Sequence, residues 1–497
     1  VFKNLTNRYH AGLRLIILRS NAMDAIYQFT KNFINTHYED LDLRVVEVTK
    51  KEVLDLLGVA LAGFAAPGIR ELLDIVADWG GKRESSIIYC KQKVPAPMAA
   101  QVNATMAHAL DFDDVHDAAT LHPAVAVVPA CMAVAERKGR VSGREFITAV
   151  ALGVDMICRL GLAAWPGYDL SSPEKGEKAL QAERVKKGWH LTTLMGYLAA
   201  AGAAGKLLGL DEERMLNAFG IAYHQCSGNL QPRIEGTLAK RMGPGFSSRA
   251  GIASALMAEK GITGPKNCLE GEKGFYNMYF QGEYDAKTLR SDLGKQFEGV
   301  NVSIKPYPCC RGIHTYIEAT LTLVNDRSIG TEDVKEIRVF SDEGGYHTLC
   351  MPLEVKTKPR NLVDSQFSIP WGVATALAKR RVAFEHFTEA AIKSPDILEV
   401  ASKISVVLDR SLDRSDRIPP GKLELITKSG QIHSIQVDDP LGSPDRPRSF
   451  DDCARKFRDC SSYPVNKLSN KRIEGVIELI GQLEHVGDIA EITKALS

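Results

Sequence analysis

Residues 108–129, from His108 to Pro129, read HALDFDDVHDAATLHPAVAVVP. Four acids (Asp111, Asp113, Asp114, Asp117) and three histidines (His108, His116, His122) crowd the stretch. The flanks, AAQVNATMA before and AVAVVPACMAVA after, are rich in Ala and Val and predict buried helices over residues 98–110 and 124–137. A charged cluster between two buried helices sits at the mouth of a core. Some of its members are expected to cap helices and satisfy one another, but the cluster as a whole reads as a site.

Upstream, residues 23–63 place apolar side chains at three- and four-residue steps and predict two amphipathic helices, with Thr49 capping the second. Gly68–Trp79 predicts another helix, and SSIIYCKQKVPAP a short extended excursion. Downstream, Gly143–Leu160 predicts a buried helix, followed by a polar loop over 166–187 that is long enough to form a lid or site wall. His190 closes that loop, and Thr192 or Thr193 opens the helix TTLMGYLAAAGAAGKLLGL. Asp211 caps the helix after it. RIEGTLAKRMGPGF reads as a Gly/Pro-punctuated loop carrying Arg233, Lys240 and Arg241, with Ser247 or Ser248 capping the next helix and Gly261 ending it.

The character changes near Val300. NVSIKPYP, VKEIRVFSD and KLELITKSGQIHSIQV show strand-like alternation, the last with a hairpin turn. Helical stretches GIHTYIEATLTLVND, IPWGVATALAKR and SPDILEVASKI lie between them. The predicted fold is mostly α. A large helical domain (23–299) carries an inserted, smaller α+β lid domain (300–438), and C-terminal helices (439–497) return to the first domain. Residues 1–22, with four cations and no acid, read as an extension outside the fold.

Lys plus Arg is 62 against Asp plus Glu 61, so no field of one sign draws the chain to nucleic acid or an anionic membrane. No apolar run free of charges is long enough to span a membrane. The ten cysteines contain no CxxC pair, which argues against structural zinc, a disulfide framework and the usual iron–sulfur spacings, and suggests a reducing, cytoplasmic setting.

Three further segments are expected to converge on the cluster: Gly188-Trp189-His190, Ala239-Lys240-Arg241, and Lys305 to His314 with Cys309, Cys310 and Arg311. Each stands at a helix entrance or domain junction, where backbone N–H groups favour anions. Together they read as a pocket for a polycarboxylate. A competing chemistry starts from Asp113-Asp114-Val115-His116-Asp117, which fits the DDxxD spacing of magnesium-dependent prenyl-diphosphate enzymes if it lies on one helix face. No second acidic motif of that kind is present in the sequence.

Five blocks in order carry a resemblance: the 108–130 stretch, GWHLTTLMGYLAAAGAAGKLLGL, LAKRMGPGFSSRAGIASALMAEKGITGP, KPYPCCRGIHTYIEA and DSQFSIPWGVATALA. They resemble the MmgE/PrpD family, which includes 2-methylcitrate dehydratase, cis-aconitate decarboxylase and an iminodisuccinate epimerase. The resemblance covers nearly all of the chain from Met23. It implies a helical domain with a smaller α+β lid, a homodimer, and no metal or organic cofactor. In the decarboxylase branch the pocket residues correspond to Asp111, His122, His190 and Lys240 of this chain. Val115 and Cys310 stand where the animal decarboxylases have Thr and His, and the step from Asp111 to His122 is one residue longer.

The resemblance therefore implies a lyase working at the carbon alpha to a carboxylate of a di- or tricarboxylate, 2-methylcitrate dehydratase-like first. Decarboxylation of cis-aconitate and epimerisation are the alternatives within the family. Lys240, helped by Arg241 or Arg311, binds carboxylates and offsets enolate charge, with Cys310 and His314 beside them. His122 moves the proton, Asp111 orients His122 or a substrate hydroxyl, and His190 assists the leaving group or binds a second carboxylate.

Overall fold

In the computed structural model, residues 23–164, 188–327, 329–414, 417–463 and 468–496 are described. Residues 1–22 and the 166–187 loop lie outside them. Helices α1 (Ala25–Asn35) and α2 (Leu43–Gly63) open the described chain, each started by an Asp (Asp24, Asp42) whose carboxylate accepts a first-turn N–H. Thr49 lies inside α2, not at its cap. Burial of one apolar face extends that helix back beyond the Thr, and Asp42 offers the better capping carboxylate.

Next come α3 (Ile69–Trp79), α4 (Ala96–His108), α5 (Ala124–Lys138), α6 (Gly143–Ala163, with a Ser142/Glu145 capping box), α7 (Leu191–Leu208), α8 (Glu212–Gln225, capped by Asp211) and α9 (Ala239–Glu259). Between α4 and α5 runs a turn-rich segment whose only strand, β1 (Val115–His116), pairs antiparallel with β2 (Val302–Ser303).

Helix α9 packs on α4 and α7, and small residues set the spacing. A methyl group on Gly251 would lie 2.8 Å from the Ala201 nitrogen of α7, and one on Gly245 would lie 2.6 Å from the Gln101 oxygen of α4. Any side chain at either position would push the helices apart. The Gly-Pro-Gly stretch predicted as loop is therefore helical, with Pro244 inside α9. Packing outweighs the local break. Ser247 and Ser248 are consequently buried mid-helix residues rather than caps, while Lys240 and Arg241 stand in the first turn. Helices α6 and α7 have the length and apolarity to cross a membrane, yet 94% and 89% of their apolar windows are buried inside the protein, as core helices are.

Beyond residue 304 follow α10 (His314–Asp326), β3 (Val334–Ser341), α11 (Ile369–Lys379), α12 (Pro395–Ala401), β4 (Ile404–Leu408), β5 (Gly421–Thr427) and β6 (Ile432–Val437). The sheet order is β4-β3-β5-β6, with β3–β4 parallel and the other pairs antiparallel. The stretch read as helix, SPDILEVASKI, holds α12 and ends on Ile404, the first residue of β4, whose remaining residues carry no strand reading. The predicted strand NVSIKPYP shrinks to the two residues of β2. Helix α10 lies across β5 and β6 and packs on α11.

Buried apolar residues form two clusters. One spans residues 25–304 and is rejoined by 453–496; the other spans 309–425. Helices α13 (Phe450–Ser461) and α14 (Asn470–Gly481) pack on α2.

Candidate active site

A cavity of about 310 Å3 opens where the two clusters meet. The α4–α5 segment supplies Asp111, Asp117, Thr120 and His122; the residues before α7 supply Trp189 and His190; Arg233 and Lys240 flank the start of α9. Lys305, Cys310, Arg311 and Phe367 close it from the other side. Four of the predicted residues, Asp111, His122, His190 and Lys240, thus share one wall system with Cys310 and Arg311.

Asp111 is the ionic centre of that wall. Its Oδ1 accepts from Lys240 Nζ at 2.6 Å and its Oδ2 from Lys305 Nζ at 3.1 Å, while Lys305 also donates to the Asp111 carbonyl at 2.8 Å. Burial opposes ionisation, but Lys240 and Lys305 outweigh it and hold the carboxyl well below its ordinary range. Lys305, buried as well, is held above its ordinary range because Asp111 outweighs desolvation. The backbone of Asp111 is left-handed, φ 52°, which Asp tolerates better than most residues.

Among the described residues Asp111 makes no hydrogen bond to the His122 ring, which other groups hold, and of its two expected roles only the orienting of a substrate hydroxyl keeps a geometric basis. His122 Nδ1 donates to the Asp114 carbonyl at 2.6 Å and lies 3.3 Å from Asp113 Oδ2. Its backbone N–H donates to Thr192 Oγ1 at 3.0 Å. His108 Nδ1 lies 2.8 Å from the same Asp113 oxygen. The His108 ring centroid lies 5.0 Å from that of His122 and 5.6 Å from that of His190. On the far side, His190 Nδ1 meets Thr193 Oγ1 at 2.6 Å.

All three imidazoles are pushed toward the neutral form, first by burial. His122 is lowered to about 3, and His108 and His190 fall well below their ordinary value, with nearby Lys240 adding to the effect on both. Each therefore stands neutral and able to accept a proton.

Arg311 is fixed by four partners. Its Nε reaches Asp117 Oδ1 at 3.3 Å, its Nη1 donates to the Leu441 carbonyl at 2.9 Å and meets His314 Nδ1 at 3.3 Å, and its Nη2 donates to the Pro440 carbonyl at 3.4 Å. Asp117 is held in turn by Ser303 Oγ at 2.7 Å.

Two predicted binders do not reach the cavity. Arg241 is buried and donates to the Pro67 carbonyl at 2.8 Å, because the helical turn at α9 points it away from Lys240. His314, the first residue of α10, sits behind Arg311 and supports it.

Lys305 and Arg233 line the cavity but were not singled out as site residues, although Lys305 opens the KPYPCCRG block and Arg233 precedes the Lys-Arg pair. Nothing local separates such cations from surface ones.

The DDxxD reading fails on geometry. Helix α4 ends at His108, so Asp113, Asp114 and Asp117 share no helix face. Asp113 faces two imidazoles, Asp114 Oδ2 accepts from Ala124 N at 3.1 Å, and Asp117 faces Arg311. His108, Asp113 and His122 do offer three ligand atoms within 4.8 Å of one another. Hydrogen bonds account for that spacing, and His122 Nδ1 must carry a proton to donate to the Asp114 carbonyl.

The chain is similar to known proteins over nearly its whole length. The cis-aconitate decarboxylase-like protein oryM of Aspergillus oryzae is 27% identical over 92% of this chain and 94% of its own length. The cis-aconitate decarboxylase of Aspergillus terreus is 25% identical over 92% of this chain and 93% of its own length, and that of Homo sapiens 25% identical over 91% and 90%. Residues 28–287 match the MmgE/PrpD N-terminal domain and residues 307–482 the MmgE/PrpD C-terminal domain, the two sides from which the cavity is built, and the chain belongs to the MmgE/PrpD family.

Proposed function

We propose that the protein is a cofactor-independent lyase that acts on a small polycarboxylate by proton transfer at the carbon alpha to a carboxylate. The observation that carries this reading is a single cavity in which neutral imidazoles face four cations. Arg233, Lys240, Lys305 and Arg311 stand against Asp111 and Asp117, so the lining keeps two positive charges in excess. A substrate with two or three carboxylates answers that excess.

His122, with Nδ1 committed to the Asp114 carbonyl, has Nε2 left for the cavity and takes the proton from carbon. Lys240 and Arg311 hold carboxylates and offset the charge that builds on the enolate-like intermediate. The electron pair of the broken C–H bond forms the alkene, the C–O bond breaks, and the departing hydroxyl, hydrogen-bonded by His190, leaves as water with the proton that His122 has just taken. This 2-methylcitrate dehydratase-like course is our first reading, because it begins with proton removal, the task a neutral imidazole is set for. Decarboxylation of cis-aconitate is the second, supported by the likeness to the Aspergillus and human cis-aconitate decarboxylases. It replaces proton removal with loss of carbon dioxide and ends with a proton delivered to carbon.

The test incubates the purified full chain with 2-methylcitrate, citrate and cis-aconitate while following alkene formation and carbon dioxide release separately. Alkene without carbon dioxide supports dehydration, and carbon dioxide from cis-aconitate supports the second reading. In either case His122→Asn is expected to lower kcat by about 10²–10⁴-fold. No turnover, together with no thermal shift from any of the three acids, overturns the proposal.

A further inference from the structure

We propose that Asp113 is the positioning residue of this site. One of its carboxylate oxygens, Oδ2, lies against Nδ1 of both His108 and His122, at 2.8 and 3.3 Å, where its negative charge favours the imidazolium that forms when His122 Nε2 takes a proton. The inference deepens the lyase reading above and rests on it for its kinetic part.

Three observations converge. Asp113 is completely buried and does not line the cavity, so it acts on no substrate directly. Its other oxygen, Oδ1, has no hydrogen-bond partner among the described residues. A buried acceptor left unpaired costs stability, so the residue does not serve stability well by itself. The Asp114 carbonyl accepts the same His122 proton at 2.6 Å. The carbonyl supplies the direction, and the Asp113 charge stabilises the imidazolium formed when Nε2 takes a proton, a division of labour familiar from carboxylate–imidazole pairs. His108 holds the opposite side of the shared oxygen and keeps the carboxylate from rotating away.

The charged and titratable groups that bear on His122 are Asp113 and Asp111, which favour its protonation, and Lys305 and His108, which oppose it. Asp113 is the largest favourable influence among them. Its removal therefore lowers the His122 pKa further.

The experiment uses Asp113→Asn, which keeps the size of the side chain, and His108→Gln, which leaves the carboxylate to His122 alone. With 15N-histidine labelling of the full chain, the His122 ring resonances, identified by their loss in His122→Asn, report its protonation against pH with or without turnover. All three proteins are expected to show neutral His122 with its proton on Nδ1, held by the Asp114 carbonyl, and Asp113→Asn is expected to take up the second proton only at lower pH than wild type and His108→Gln. On a substrate found by the assays above, Asp113→Asn is expected to lower kcat about 10²-fold with KM within about threefold, and to move the acid limb of the kcat/KM profile to lower pH. A His122 titration unchanged in a folded Asp113→Asn protein overturns the inference, as does an unmoved acid limb. Failure of wild type to turn over any polycarboxylate strikes the lyase reading instead, and the NMR result still decides the role of Asp113.

Discussion

Asp111 and Asp114 stand three residues apart, both buried, and the interior drives them in opposite directions. Asp111 belongs to the cavity wall, where Lys240 and Lys305 each hold one of its oxygens and keep it ionised. Asp114 belongs to a layer behind that wall, with Asp55 and Glu52. There burial first, and like charge second, push Asp114 and Glu52 well up. Asp55 is raised by burial too, even with Lys456 Nζ at 2.7 Å. Burial is common to both regions; the number of cations within reach differs. The charge of an interior acid is thus set by its partners, and the protein uses this to keep one anion beside its cavity and acids pushed toward their protonated form behind it.

The largest expected effect breaks the wall. Lys305→Met leaves Asp111 a buried anion with one cation fewer, and urea unfolding is expected to show a loss of about 3–5 kcal/mol, partly restored in the double variant with Asp111→Asn. A loss below about 1 kcal/mol would mean that other groups hold the Asp111 charge. Lys456→Met makes the matching change in the layer behind. Because Asp55 already leans toward its protonated form, the expected cost is smaller, about 1–3 kcal/mol. Equal costs for the two variants would dissolve the contrast.

The pH dependence sharpens it, and the signs differ. Asp111, depressed in the folded state, contributes stability that is present above the unfolded carboxylate value of about 4 and is lost as pH falls through its lower folded value. Glu52, raised in the folded state, does the reverse: stability falls as pH climbs from the unfolded value toward the folded one. Glu52→Gln removes that slope, so its stability relative to wild type is expected to improve by up to about 1.4 kcal/mol per pH unit in that window, read from unfolding curves at successive pH values above the unfolded carboxylate value. A constant difference across pH would show that Glu52 does not titrate with folding.

The smallest expected effect is at Asp114 itself. Asn keeps the oxygen that accepts from the Ala124 N–H at the start of α5, and Asp and Asn cap almost equally well. Asp114→Asn should move the melting temperature by only a few degrees, the equivalent of about 1 kcal/mol or less.

Much of this was legible in the chain itself. The cap at Asp211, the buried helices around 108–129, and the hairpin of β5 and β6 follow from local rules, and the structure contains them. So does the grouping of Asp111, His122, His190 and Lys240, although a resemblance across five blocks was needed to single those four out. Local rules failed where packing overruled them. Helix α9 runs through Gly-Pro-Gly because α4 and α7 press on its small residues, and that turn sends Arg241 to Pro67 while Lys240 reaches Asp111.

By itself, then, the sequence determined the helical class, the change of character near Val300 and the identity of the chemistry-bearing segment, because periodicity, capping and residue type act over a few neighbouring positions. Only the tertiary structure decided which acid is paired and which imidazole is held. It brought Lys305 across 194 residues of chain to Asp111, and left Asp113, two residues further on, facing two histidine rings. Charge in an interior depends on distances of a few ångströms between groups far apart in the chain, and only the folded packing sets those distances.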